Sequence, residues 1–171
     1  MTDSITETVL AHYAHILTIK GIVRRVSLGK MCEEDFQRFA VAVGYESREF
    51  FETEFAEANG HKSVVAPQTY LSSVLGWGYG PEESALLEDG TSSDSLGGLS
   101  LTGLRVMGAG QDLKFLHRIT GEMNIVMDVS IDDVQFKQGR GGPLLILQMK
   151  RSYFDATNIL LVECFETFIG R

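Results

Sequence analysis

The chain has 171 residues, 44% hydrophobic and 22% charged, with a formal net charge of −8. This length fits one domain with a substantial core, and the acidic balance argues against nucleic-acid binding, which needs clustered Lys and Arg. No apolar run approaches the roughly 20 residues that span a bilayer, and the acidic start is a poor signal peptide. The two cysteines, Cys32 and Cys164, are too few for a disulfide framework or a zinc site. We therefore expect a cytoplasmic, reduced protein without a membrane partner or a bound metal.

The first third of the chain has the residue spacing of helices. Apolar residues recur loosely at helical intervals over residues 5–17, and β-branched residues favour a short strand over residues 21–26. The acidic residues after Cys32 predict the first turn of a helix that runs to residue 43, and Gly44 suits its C-cap. Residues 49–59 predict another short amphipathic helix, which Gly60 would end.

Two further segments precede the strand-rich half. Residues 69–77 are apolar enough to be buried, and they predict a central helix that is short for this role. Residues 80–103 form a polar stretch rich in Gly and Ser, which is long for a loop in a compact domain. We interpret this stretch as a mobile lid or a loop at a subunit contact, and a variable surface insertion is the plainer alternative.

The rest of the chain carries strand signals in a meander. Alternation and β-branched or aromatic residues mark residues 114–118, 123–138, 144–154 and 158–169. Turn residues separate these segments, and polar residues such as Asp128 and Asp132 interleave with apolar ones such as Val129 and Ile131. Such a strand faces the core on one side only. A helical first half followed by long antiparallel strands predicts an α+β domain over residues 1–171.

Several short motifs occur in a specific order. They are F-A-V-A-V-G-Y-E-S-R-E-F at residues 39–50, A-P-Q-T-Y at 66–70, G-Q-D-L-K-F-L-H-R at 110–118 and G-R-G-G-P at 139–143. In this order and spacing the chain resembles the MaoC-like hydratase family, and more closely its N-terminal-type, FAS1-like dehydratase domain. The resemblance covers roughly residues 20–171. It implies a hot-dog fold, in which a curved antiparallel sheet wraps a long helix.

The resemblance also implies that the family's catalytic pair is missing here. The family places an Asp and a His five positions apart as its acid/base pair, after a glycine that Gly44 matches. Tyr45 falls at the Asp and Phe50 at the His, and a phenyl ring cannot exchange protons. The substrate would be an acyl thioester carried by coenzyme A or phosphopantetheine, with no other cofactor. Hot-dog domains of this kind usually dimerise, with a catalytic MaoC-type subunit or with themselves.

Two residue patterns imitate known sites. Asp112 and His117 repeat the family's spacing, yet in an extended strand residues five apart point to opposite faces and lie roughly 16 Å apart. A strand-surface role is the simpler interpretation of His117. Gly108 and Gly110 resemble a dinucleotide-binding turn, but the fingerprint needs a helix N-terminus that the following strand signals exclude.

Two other patterns are candidate substrate-binding segments. Arg140, Gly141 and Gly142 would form a nest of backbone N–H groups for the phosphate of a carrier, although glycines at a strand junction equally suit a sharp bend. Tyr45 and Phe50, with Pro67 nearby in the motif order, would form an apolar wall for an acyl chain. Simple core packing by these aromatic rings is the alternative.

Three classes of function follow. The first is a non-catalytic or substrate-shaping subunit of an (R)-specific enoyl-thioester hydratase or 3-hydroxyacyl-thioester dehydratase. The second is a self-contained enzyme that uses the same fold for dehydration, cyclisation or thioester hydrolysis. The third is a module that binds an acyl group without chemistry. The resemblance favours the first, because it leaves the chain without the acid/base pair.

Overall fold

The computed structural model describes residues 2–73, 82–86, 96 and 98–171. Within these residues the chain forms first a helical half and then a sheet. The helices are α1 (Thr2–Ile19), α2 (Glu33–Ala42), α3 (Thr53–Ala58) and α4 (Tyr70–Ser73), with short 3-10 turns at Arg48–Phe50 and Glu83–Ala85. The strands are β1 (Arg24–Lys30), β2 (Val106–Phe115), β3 (Asn124–Gly139), β4 (Gly142–Asp155) and β5 (Leu160–Gly170).

The five strands form one antiparallel sheet in the order β1-β3-β4-β5-β2. Strands β3, β4 and β5 are joined by short hairpins, and β1 and β2 lie at the two edges. The α+β class predicted from the sequence is therefore confirmed. Alternate residues of β4, namely Leu145, Leu147, Met149, Arg151 and Tyr153, are buried, as expected for a sheet that covers the core with one face.

The core lies on this inner face and divides into two clusters. One cluster lies under α2 and α4 and includes Phe36, Tyr70 and Tyr153. The other lies under α1, whose Val9 and Ile16 are fully buried against β3 and β4. Helix α1 therefore closes one end of the sheet, while α2 closes the other.

Three element boundaries differ from the sequence prediction. Strand β1 covers Arg24–Lys30 rather than residues 21–26, because Gly21 adopts a positive φ of 79° and turns the chain out of α1. The single helix predicted over residues 49–59 is instead the turn Arg48–Phe50 followed by α3. Strand β2 begins at residue 106 rather than 114, so Gly108 and Gly110 lie inside a strand, where a bulge separates them.

Part of two predictions lies outside the described residues. Of the predicted central helix over residues 69–77, the structure describes 69–73, which contain α4. Of the predicted lid over residues 80–103, it describes 82–86, 96 and 98–103. In that part Leu96, Leu99 and Leu101 are buried in the cluster under α1.

Candidate functional site

The end of α2 sets the geometry of the candidate site. Gly44 has a positive φ of 75°, a conformation that costs glycine nothing and terminates a helix. The amide of Tyr45 then donates to the carbonyl of Ala40 over 2.8 Å. The chain reverses here and enters the turn Arg48–Phe50, which brings Phe50 back towards Tyr45.

The two rings that the resemblance predicts at the positions of the acid/base pair lie against each other. Tyr45 and Phe50 are stacked, with ring centroids 5.8 Å apart and planes at 28°. Phe50 is 7% exposed and Tyr45 is 39% exposed, so Phe50 forms a floor and Tyr45 forms part of the rim. A stacked pair of this kind stabilises through apolar burial and ring contact.

A pocket of approximately 430 Å³ opens beside this stack. Its lining residues are Gly44, Tyr45, Glu46, Ser47, Glu49, Phe50, Gln68 and Arg118. The pocket therefore combines two aromatic rings with several polar and charged side chains, and it is more polar than the usual small-molecule site.

The polar side of the pocket contains an ion pair. The guanidinium of Arg118 donates from Nη2 to Oε1 of Glu49 over 3.2 Å, and their side chains are 37% and 20% exposed. Backbone hydrogen bonds connect Glu49, and the residue that follows Arg118, to the same segment at residues 65–66. The carbonyl of Glu49 accepts from the amide of Val65 over 3.1 Å, and the amide of Ala66 donates to the carbonyl of Ile119 over 2.8 Å.

Sequence reasoning did not identify Glu49, Arg118 and Gln68 as one site. The sequence pattern predicted that Glu49 begins an amphipathic helix. Gln68 and Arg118 were part of the family motifs, but no role was assigned to them. Glu49 and Arg118 are 69 positions apart, so no helical or strand period relates them. The detectable signal was the motif order itself, because it placed all three segments in one family pattern.

Asp112 and His117 have separate surroundings. Asp112 lies in β2 opposite Phe165, next to the core residue Leu113, so it points to the outer face of the sheet. His117 follows the strand, and its amide donates to the carbonyl of Leu161 over 3.1 Å. Its ring lies close enough to Asp155 to contribute to lowering the pKa of that carboxyl, after the larger effect of hydrogen bonds from the Ile159 amide and from Thr157. No contact in the described part of the chain supports a dyad.

The glycine-rich segments are strand and turn. Gly108 and Gly110 lie within β2, and no helix begins after them, so the structure has no dinucleotide-binding turn there. Gly139 pairs with Gly142, which makes Arg140 and Gly141 the two-residue turn between β3 and β4. Arg140, Gly141, Gly142 and the buried Pro67 are absent from the pocket lining. A phosphate nest at the hairpin remains a prediction.

A second polar group lies inside the sheet's inner face. Arg151 of β4 and Glu166 of β5 form an ion pair with side chains 6% and 10% exposed, and Gln111 of β2 donates to Glu166 over 2.5 Å. Beside them Tyr153 and Cys164 are fully buried, and burial raises the pKa of each. Tyr153 and Cys164 belong to the cluster under α2 and α4, so the ion pair lies beside that cluster.

Comparison with known proteins identifies the class. The family described as "FAS1-like, dehydratase domain region" matches residues 30–163, and the chain belongs to this family. The predicted resemblance is therefore confirmed. No curated protein sequence matches the chain significantly.

Solved structures confirm the hot-dog fold. A complex of HadBC, a (3R)-hydroxyacyl-ACP dehydratase from Mycobacterium tuberculosis, is similar over 88% of this chain and 96% of its own, with 19% identity and a TM-score of 0.64. The ChsH1–ChsH2 complex from the same organism is similar over 99% and 92%, with 16% identity and a TM-score of 0.69. The (R)-hydratase of polyhydroxyalkanoate (PHA) biosynthesis from A. caviae is similar over 87% and 94%, with 16% identity and a TM-score of 0.62.

No helix among the described residues has the length and apolar character needed to cross a membrane. No group of three or more His, Cys, Asp or Glu side chains among them is arranged to hold a metal ion.

Proposed function

We propose that this chain is a substrate-shaping subunit of an (R)-specific enoyl-thioester hydratase or 3-hydroxyacyl-thioester dehydratase, without the family's acid/base pair. The observation that carries the proposal is the stack of Tyr45 on Phe50 beside a pocket. These are the positions at which the family resemblance expects an Asp and a His. Hydration of an enoyl thioester needs a general base for water and an acid for the α-carbon, and the proposed catalytic partner supplies both.

The exposed edge strand supports a partner subunit. Eight of the ten residues of β2 are exposed, including Met107 and Phe115 at 37% and 40%, and among the described strands it pairs only with β5. A bulge interrupts β2 at Gly108 to Gly110, but residues 111–115 continue as a regular exposed edge, which can pair with another strand. The opposite edge, β1, carries Arg24, Arg25 and Lys30 and a bulge near Gly29, which are features that discourage such pairing.

The similar structures are consistent with a heteromeric assembly. HadBC and ChsH1–ChsH2 are both named as complexes. In the proposed enzyme the partner is a MaoC-type chain with an intact Asp and His. The substrate is an acyl group on coenzyme A or on the phosphopantetheine of a carrier protein, and the Tyr45–Phe50 stack forms an apolar wall next to it.

The test is the native mass of the chain, purified alone and after co-expression with a MaoC-type subunit, together with hydration of crotonyl-CoA. A mixed complex that hydrates, when the lone chain does not, supports the proposal. A stable homodimer that never binds the catalytic subunit contradicts it. Hydration by the lone chain also contradicts it, whereas acyl binding by an inactive lone chain that takes no partner would indicate a binding module.

A restored pair provides a second test. In this proposal Tyr45→Asp with Phe50→His places a carboxylate and an imidazole in one pocket, because the native rings already lie 5.8 Å apart. The double variant should gain hydratase activity over each single variant in the same assembly. Equal activity in all three would contradict the assignment of these positions.

A further inference from the structure

The pocket contains a carboxylate that the family pattern does not use. Glu49 precedes Phe50 in the same turn, and its side chain is 20% exposed and held by Arg118. Glu46, the other acid of the lining, is an exposed residue. Glu49 is therefore the acid whose position is fixed within the pocket, and it lies beside the apolar Tyr45–Phe50 stack.

Apart from Glu46, the other polar side chains of the lining can donate hydrogen bonds. Arg118 carries a guanidinium, Gln68 an amide, and Ser47 and Tyr45 hydroxyl groups. None of the lining residues that the structure describes is a histidine. A positioned carboxylate in a pocket that also contains donors can activate a water molecule next to a carbonyl whose oxygen becomes negatively charged.

This set distinguishes between two reactions of an acyl thioester. Addition of water across the double bond needs an acid positioned to protonate the α-carbon, in addition to the base. Hydrolysis needs the base and donors for the oxyanion, because a thiol is more acidic than water or an alcohol and departs readily as a thiolate. The groups in the pocket meet the second requirement.

We propose that the pocket beside Tyr45 and Phe50 hydrolyses acyl thioesters, with Glu49 as the general base. Glu49 removes a proton from water as the water oxygen bonds to the thioester carbonyl carbon. The carbonyl electrons move to oxygen, where N–H donors from Arg118 and Gln68 stabilise the charge. When the carbonyl re-forms, the carbon–sulfur bond breaks, sulfur leaves with the electron pair, and it takes the proton from Glu49. The products are a carboxylic acid and the free thiol of the carrier.

This inference takes its substrate class from the proposed function, but it assigns a separate reaction to this chain. The catalytic partner would add or remove water at the acyl chain, whereas this pocket would release the acyl group from its carrier. The two activities have different products, so they are measured independently in one preparation.

The experiment uses the full chain, alone and with its partner, and acetyl-, butyryl- and octanoyl-CoA as probes. Because Cys32 is exposed, free coenzyme A is quantified by chromatography and not with a thiol reagent. We expect Glu49→Gln to lower the rate of release about 100-fold or more, the usual effect of losing a general base. Glu49→Asp, which keeps a carboxylate, should retain more activity than Glu49→Gln.

Glu54→Gln is the matched control, because Glu54 is an exposed glutamate on α3 outside the pocket lining. It should hydrolyse like the parent chain, and equal thermal midpoints would show that all variants fold. Release that is equal in the parent chain and Glu49→Gln for all three probes, alone and in the complex, would overturn the inference. Glu49-dependent release without hydration by any complex would contradict the proposed function alone.

Discussion

Two of the molecule's ion pairs, one at the pocket and one inside the sheet, differ in their surroundings. Glu49 and Arg118 meet at the rim of an open pocket with side chains 20% and 37% exposed, whereas Glu166 and Arg151 meet inside the sheet with side chains 10% and 6% exposed. Water competes for the first pair, so its partners can be exchanged at little cost. The second pair has lost its hydration and depends on its own partners. The first is therefore suited to bind a ligand and the second to fix the packing of β4 on β5.

The largest effect should come from breaking the buried pair. Arg151→Met leaves the Glu166 carboxylate inside the core without its cation, and we expect the free energy of unfolding to fall by about 3 to 5 kcal/mol. Chemical denaturation of the single variant measures this loss. The double variant Arg151→Met with Glu166→Leu should recover most of the lost stability, and a double variant as unstable as the single one would show that the pair is not the cause.

A smaller effect should follow from the hydroxyl next to that pair. The Tyr153 hydroxyl is buried and finds no hydrogen-bond partner among the described residues, so it keeps the cost of desolvation without a compensating bond. We expect Tyr153→Phe to leave the free energy of unfolding unchanged or to raise it by up to about 1 kcal/mol. A clear loss of stability in the denaturation curve would mean that the hydroxyl is satisfied in solution.

Breaking the pair of Glu49 and Arg118 should have the opposite result, with a small effect on stability and a large effect on activity. Glu49→Gln removes one charge from a partly exposed pair, and such pairs are worth about 0 to 1 kcal/mol. Its denaturation midpoint should therefore lie close to that of the parent chain. A loss as large as that of Arg151→Met would show that the pocket pair is structural, which would remove the contrast between the two regions.

A third pair, at the surface, extends the comparison to pH. Hydrogen bonds from Gln135 and Lys20 lower the pKa of Asp133 to about 2, from an ordinary value of 3.8. A carboxyl with a depressed folded-state pKa contributes stability that is complete above its unfolded pKa and is lost as the pH falls through the folded pKa. We expect this contribution to disappear between pH 3.8 and about 2. Unfolding curves of Asp133→Asn should show a smaller loss over this interval than the parent chain.

The sequence predicted the sheet better than the site. Strands β3, β4 and β5 alternate visibly between polar and apolar residues, so their positions followed from local pattern alone. Residues 106–113, which are most of β2, were missed because Gly108 and Gly110 resemble a loop, and pairing with β5 is what makes them a strand. The local sequence pattern contains no information about which strands pair with each other.

The pocket was even harder to predict from the local sequence pattern than the sheet. The family resemblance aligned Tyr45 with the family's Asp and Phe50 with its His, and the left-handed turn at Gly44 explains how the two rings meet. Glu49 and Arg118 come together because the amide of Val65 donates to the carbonyl of Glu49 and the amide of Ala66 donates to the carbonyl of Ile119, next to Arg118. Such a contact between distant segments arises only from the assembled fold.

The extent of β5 has a practical consequence for anyone who shortens this chain. The family match ends at residue 163, but β5 continues to Gly170 and its last seven residues include Cys164 and Glu166. A protein trimmed to residues 30–163 would lose seven of the eleven residues of that strand, the acid beside Arg151, and the whole of α1 with its buried Val9 and Ile16. Expression trials should keep residues 2–171, because the border of a sequence family is not the border of a foldable unit.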